Sequence, residues 1–79
     1  MRAKLKVTEV ILTETGETVS FQAVSKTNGY PETGLDEDNT FAKWTPSANL
    51  VMTITNPDLF GAHKPGQTFY VDFTLVSQG

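Results

Sequence analysis

Between residues 42 and 54 every second side chain is apolar: Ala42, Trp44, Pro46, Ala48, Leu50, Met52 and Ile54. Their odd-numbered neighbours Lys43, Thr45, Ser47, Asn49, Thr53 and Thr55 are polar, with Phe41 and Val51 as the exceptions. A period of two turns one parity toward one sheet face, so the stretch reads as strand buried on one side. The chain is therefore expected to be an all-β antiparallel fold with one wet face.

The same alternation runs through the rest of the chain. A first strand is predicted over 2–13. Its inward set is Ala3, Leu5 and Val7, and then Val10 and Leu12, so the parity switches near Thr8 and Glu9, the mark of a bulge or sharp bend. Thr15-Gly16 marks a hairpin, with glycine expected at positive φ. A second strand over 17–26 turns Val19, Phe21 and Ala23 inward. Pro46 cannot donate to a ladder, so the alternating stretch should divide into segments 40–45 and 48–55 that meet at a bend, or be interrupted by a turn there. Asn56-Pro57 is a capped helical turn over 57–60. Lys64-Pro65-Gly66-Gln67 is a type II turn. A last strand over 67–76 faces Phe69, Val71, Phe73 and Leu75 inward and Tyr70, Asp72 and Thr74 outward. The sum is a single β domain over 1–79, a small antiparallel five-stranded barrel or two-layer sandwich of OB or SH3 size, with at most one short helical turn near 57–60.

Size limits what such a fold can do alone. A core drawn from 79 residues rarely supplies more than about 3–5 kcal/mol. The chain has no cysteine and one histidine, so neither a disulfide nor a thiolate or multi-histidine metal site can supplement it. That leaves unusually good packing, or stability borrowed from an oligomer or partner. No N-terminal apolar h-region is visible, and no apolar run approaches the roughly 18 residues of a membrane span, so a soluble product with no membrane contact is expected. The net charge of −3 disfavours nucleic acid as a partner.

Composition changes over 27–39, where Asn28-Gly29, Pro31 and Gly34 are turn formers and Glu32, Asp36, Glu37 and Asp38 bring acid without a base. Loops of that length are often functional. Asp36 through Asn39 offers oxygens for a weak cation site, yet the EF-hand pattern fails, with Phe41 and Ser47 where its glycine and glutamate belong. No metal or other cofactor is assigned. His63 beside Lys64 lacks a converging nucleophile and carboxylate, and reads as a surface or partner contact rather than a general base. Trp44 shares the parity of Leu50, Met52 and Ile54 and belongs in the core; its alternative role is a stacking platform for single-stranded nucleic acid. Phe41 and Val51, on the opposite parity, and Tyr70, outward on the last strand, are candidates for exposed contacts. Arg2, Lys4 and Lys6 form a basic row, read as charge protecting an edge strand or as a socket for an acidic partner. With no phosphate loop, zinc spacing or nucleophile elbow, no enzymatic activity is expected.

The run Leu35-Asp36-Glu37-Asp38-Asn39-Thr40-Phe41-Ala42-Lys43-Trp44-Thr45-Pro46-Ser47-Ala48, followed by Asn56-Pro57, Phe60-Gly61 and Lys64-Pro65-Gly66-Gln67-Thr68-Phe69-Tyr70-Val71-Asp72-Phe73, resembles a group of small proteins of tailed bacteriophages. The similarity covers about residues 35 to 74 and rests on turn and core positions. It implies a phage product, in the virion or in the infected host's cytoplasm, and brings no catalytic or ligand residues with it. The function expected is a virion accessory protein, a capsid decoration or cement module that binds a phage capsid protein or itself. The contacts would come from Arg2, Lys4 and Lys6, from the loop residues Tyr30, Leu35, Asp36, Asp38 and Phe41, from Phe60, His63 and Lys64, and from Tyr70. One alternative is a phage inhibitor that binds a host defence protein or its nucleotide signal, the nucleotide being held by His63, Lys64 and Tyr70 in a pocket at an oligomer interface. Another is an OB-like single-strand binder.

Overall fold

Strand pairing follows the apolar alternation, and the longest strand lies inside the sheet. A computed structural model describes residues 1–25 and 31–77. Among them are β1 (Arg2–Leu12), β2 (Glu17–Ala23), β3 (Asn49–Ile54) and β4 (Thr68–Asp72), with a 3-10 turn at Pro57–Leu59. They form one open antiparallel sheet in the order β3-β2-β1-β4.

The parity switch in β1 is a bulge. Val7 stands opposite Phe21 and Glu9 opposite Ser20, so Thr8 is the extra residue, and its hydroxyl donates to the Ser20 carbonyl at 3.2 Å. The core face before the bulge holds Ala3, Leu5 and Val7, and after it Val10, which is paired with Val19. The buried set is completed by Val19, Phe21 and Ile54, with Leu50, Phe69, Val71, Phe41, Ala23 and Ala48 packed half-buried against it. Three turns hold the strand ends. Thr13 N–H donates to the Gly16 carbonyl at 2.7 Å. The Asn56 side chain accepts from Asp58 N–H at 3.1 Å and caps the 3-10 turn. Gly66, at φ 93°, closes the Lys64 to Gln67 turn.

Several expectations are corrected. Among the described residues the sheet has four strands and stays open; neither five strands nor closure into a barrel or sandwich is seen. Segment 40–45 contributes only an isolated bridge from Lys43 to Leu35, because its Thr40, Ala42 and Trp44 N–H groups donate to the Arg2, Asn39 and Gly34 carbonyls. The last strand stops at Asp72, opposite Arg2; Phe73 N–H still reaches the Met1 carbonyl at 2.9 Å, but Phe73 and Leu75 are exposed rather than inward. Gly16 is needed for space, not for positive φ: a Cβ there would run into the Ile54 carbonyl. The second strand ends at Ala23, and Lys26 to Tyr30 lie outside the described residues.

Trp44 is not in the core. It is 49% exposed, at φ 65°, with its N–H donating to the Gly34 carbonyl at 2.6 Å and its indole over Gly34, where any Cβ would meet the ring. Phe41, expected outward, packs against the core instead. Both reversals have one cause: the chain over 40–48 is not strand, so parity does not set its facing. The molecule is flat, 48 × 37 × 16 Å, with a radius of gyration of 14.7 Å, against about 12 Å for a compact chain of this length.

Candidate interaction surface

The first half of β1 has β4 on one flank, while on the other β2 reaches only as far as the Leu5–Ala23 pair. Loop side chains replace the missing strand. Asn39 is fully buried; its Oδ1 accepts from Lys4 N–H at 2.9 Å, and its Nδ2 donates to the Val24 carbonyl at 3.0 Å and to Asp36 Oδ2 at 3.2 Å. Thr40 exchanges two bonds with Arg2: its Oγ1 accepts from Arg2 N–H at 2.7 Å and its own N–H donates to the Arg2 carbonyl at 2.9 Å. The buried carboxylate of Asp36 accepts from Asp38 N–H at 2.9 Å and so shapes the turn that delivers Asn39. A short amide on a tight turn thus satisfies backbone groups that a strand would otherwise pair.

Beside this plug the wet face ties up its own charges. Tyr70 donates its hydroxyl to Asp38 Oδ1 at 2.9 Å, and Lys4 Nζ lies 3.5 Å from Asp38 Oδ2. Arg2 grips Asp72 with two bonds, at 2.7 and 3.3 Å, and lies 4.5 Å from the Tyr70 ring centroid, within cation–π range. These contacts shift all three groups. The hydrogen bond to Asp38, and then its charge, raise the Tyr70 phenol above its ordinary value. The bond from Arg2 holds the Asp72 carboxyl below the usual aspartate value, and Arg2 is raised in return.

The basic row is therefore not an edge guard. β1 is interior over this span, and Arg2 and Lys4 already have carboxylates beside them; Lys6 is exposed.

The core face is covered only in part. The 57–67 segment crosses it, with His63 against Phe69 and Phe21 (ring centroids 5.0 and 6.0 Å) and Gly61 N–H donating to Glu17 Oε2 at 3.0 Å. Further along lies an apolar notch of about 180 Å³ lined by Met1, Ala3, Leu5, Phe41, Leu50 and Phe73. Of its lining, Met1 and Phe73 are exposed; Met52, Leu59, Phe60, Leu75 and Val76 are exposed as well.

Of the residues expected to make contacts, Arg2, Lys4, Asp38 and Tyr70 converge, with Asp36 buried beneath the same turn. Phe60, His63 and Lys64 belong to the segment crossing the core face. Tyr70, paired with Lys4, faces the other way, so His63 and Tyr70 do not share a pocket within one chain. Leu35 is exposed, and Tyr30 lies outside the described residues. Pattern reading missed Asn39 as an organiser and Phe73, Leu75 and Val76 as exposed apolar groups. Nothing local marks the second: only the pairing of Asp72 with Arg2 puts Phe73 beside Met1 and carries the residues after it beyond β1.

Among the described residues no group of three or more histidine, aspartate or glutamate side chains is placed to hold a metal ion, and no helix is long and apolar enough to cross a membrane. The fold and surface define an all-β chain with an open antiparallel sheet. No protein-family model, curated protein or solved structure matches it.

Proposed function

We propose that this chain is a phage virion accessory protein of the capsid decoration or cement type, a binding module without enzymatic activity whose partner is a capsid protein or a second copy. One observation carries the reading. Among the described residues thirteen large apolar side chains are exposed and six hydrophobic residues are buried, on a sheet whose outermost strands, β3 and β4, each have an outer flank that pairs with no other strand. Met1 and Phe73, two of the thirteen, line the apolar notch on the core face; an apolar recess left open there fits a surface that another chain covers, as an unpaired edge accepts an added strand. In this reading the fifth strand, and the closure into a two-layer body, come from the assembly. Many copies on one particle then bind together more tightly than any single contact allows. The resemblance of residues 35–74 to tailed-phage proteins supports the setting, a virion or an infected cell's cytoplasm.

Mass spectrometry of density-purified particles tests it. The chain should be found at a fixed stoichiometry to the major capsid protein. Its absence from particles, with presence in infected cytoplasm, would overturn the reading in favour of an inhibitor acting on the host.

A further inference from the structure

The core face carries one polar strand residue. Among the positions of β1 to β4 that share this face, Glu17 alone is not apolar, and it is 4% exposed. Its Oε2 accepts from Gly61 N–H at 3.0 Å, whereas its Oε1, also buried, takes no hydrogen bond from the chain. Further along β2 the Phe21 ring meets His63, whose buried Nδ1 is likewise unpaired. Both unpaired atoms therefore lie where the 57–67 segment crosses the sheet.

That segment is fixed at its ends and lightly held between them. Asn56 caps the 3-10 turn at one end. At the other, Gly66 N–H donates to the Val7 carbonyl at 2.9 Å and Val7 N–H to the Gln67 carbonyl at 2.8 Å. Between these points, among the described residues, Gly61 N–H makes the only hydrogen bond to the sheet. The large apolar side chains of the segment, Leu59 and Phe60, are exposed rather than pressed onto the floor. The floor is sealed all the same: Val19, between Glu17 and Phe21 on β2, is 0% exposed.

We propose that residues 57–64 are a lid that lifts from the core face while the sheet stays intact. A buried carboxylate oxygen and a buried imidazole nitrogen left unpaired both cost free energy. Only the closed form bears that cost, because water reaches both atoms once the segment rises. Lifting breaks no strand pairing, since no residue of the segment belongs to a ladder. A buried charge in this setting is replaced by an apolar side chain at little cost or at a gain. Glu17 and His63 thus keep the closed and open forms close in free energy, and the lid belongs to the least stable part of the fold. The device requires only this chain and stands apart from the virion reading.

The chain has no cysteine, so Val19→Cys is a single reporter beneath the lid. Val51→Cys, exposed on β3, gives the rate of an open thiol. Below the urea midpoint, labelling of Val19→Cys by Ellman's reagent, relative to Val51→Cys, should stay flat as urea rises, because lifting the lid exposes little surface. Glu17→Leu in the Val19→Cys chain removes the unpaired oxygen and keeps the floor packed; Gly61 is exposed, so water takes over its bond. Labelling should then slow about tenfold. His63→Phe keeps a ring against Phe21 and Phe69, loses Nδ1 and should slow labelling likewise. In the unsubstituted chain the Gly61 amide should exchange with the same flat urea dependence, while amides paired between β1 and β2 follow global unfolding. Labelling that climbs with urea in step with global unfolding, or that Glu17→Leu leaves unchanged or quickens, would overturn the proposal.

Discussion

Asn39→Asp is expected to cost about 3 kcal/mol of folding free energy, a large part of what a core of this size supplies. The change is nearly isosteric, so packing is kept and only hydrogen bonding and charge differ. An aspartate there still accepts from Lys4 N–H but loses the donor that satisfies the Val24 carbonyl. It also sets a carboxylate against Asp36 Oδ2, where the amide now donates at 3.2 Å, in a site with no exposure to water. Burial and the like charge would both raise the introduced carboxyl's pKa in the folded state above its unfolded value. Folding then binds a proton. Stability of the variant is fullest below the unfolded carboxyl pKa and is lost as pH rises through the folded one. Asn39→Ala should cost a similar amount, through unpaired Lys4 N–H and Val24 carbonyl groups, without recovery in acid. Urea unfolding of the two variants at pH 4 and pH 7 separates them. Equal behaviour of both at both pH values would remove Asn39 from its place beside β1.

Phe21→Ala is the second large effect, at about 3–5 kcal/mol. Phe21 pairs with Val7 on one side and Leu50 on the other, and its ring meets the edges of His63 and Phe69. It is therefore the point where three strands and the 57–67 segment meet. Truncation removes the platform that segment rests on and leaves a void the backbone of a central strand pair cannot collapse into. Phe21→Leu keeps most of the volume, loses the aromatic edge contacts and should cost only about 1 kcal/mol. Urea midpoints read both, and a small loss for the alanine variant would mean the core lies elsewhere.

What the pattern of residues could and could not say follows from the range of the interactions involved. The bulge at Thr8, the hairpin at 13–16, the Asn56 cap and the Pro65-Gly66 turn depend on neighbours a few positions apart, and each is visible as a parity switch or a turn pair. Alternation misplaces Trp44 and Phe41 because it runs on in the sequence through a stretch where Asn39 and Thr40 bind β1 and interrupt the strand. Nothing local shows that Arg2 will meet Asp72, or Lys4 Asp38, so the basic row read as available charge. Strand order was equally hidden. β1 pairs with β4 across nearly the whole chain, and only that pairing places β1 inside and leaves its second half as an edge.

On the proposed reading another chain completes this open sheet, and equilibrium unfolding at several protein concentrations tests that directly. Association of folded chains raises the unfolding midpoint by mass action. Between about 2 and 200 µM the urea midpoint should climb steadily, and at the dilute end the free energy should approach the ~3–5 kcal/mol of a small unassisted core. A midpoint that holds still over that range, with an unfolding free energy near 10 kcal/mol, would describe a self-sufficient monomer and contradict the account.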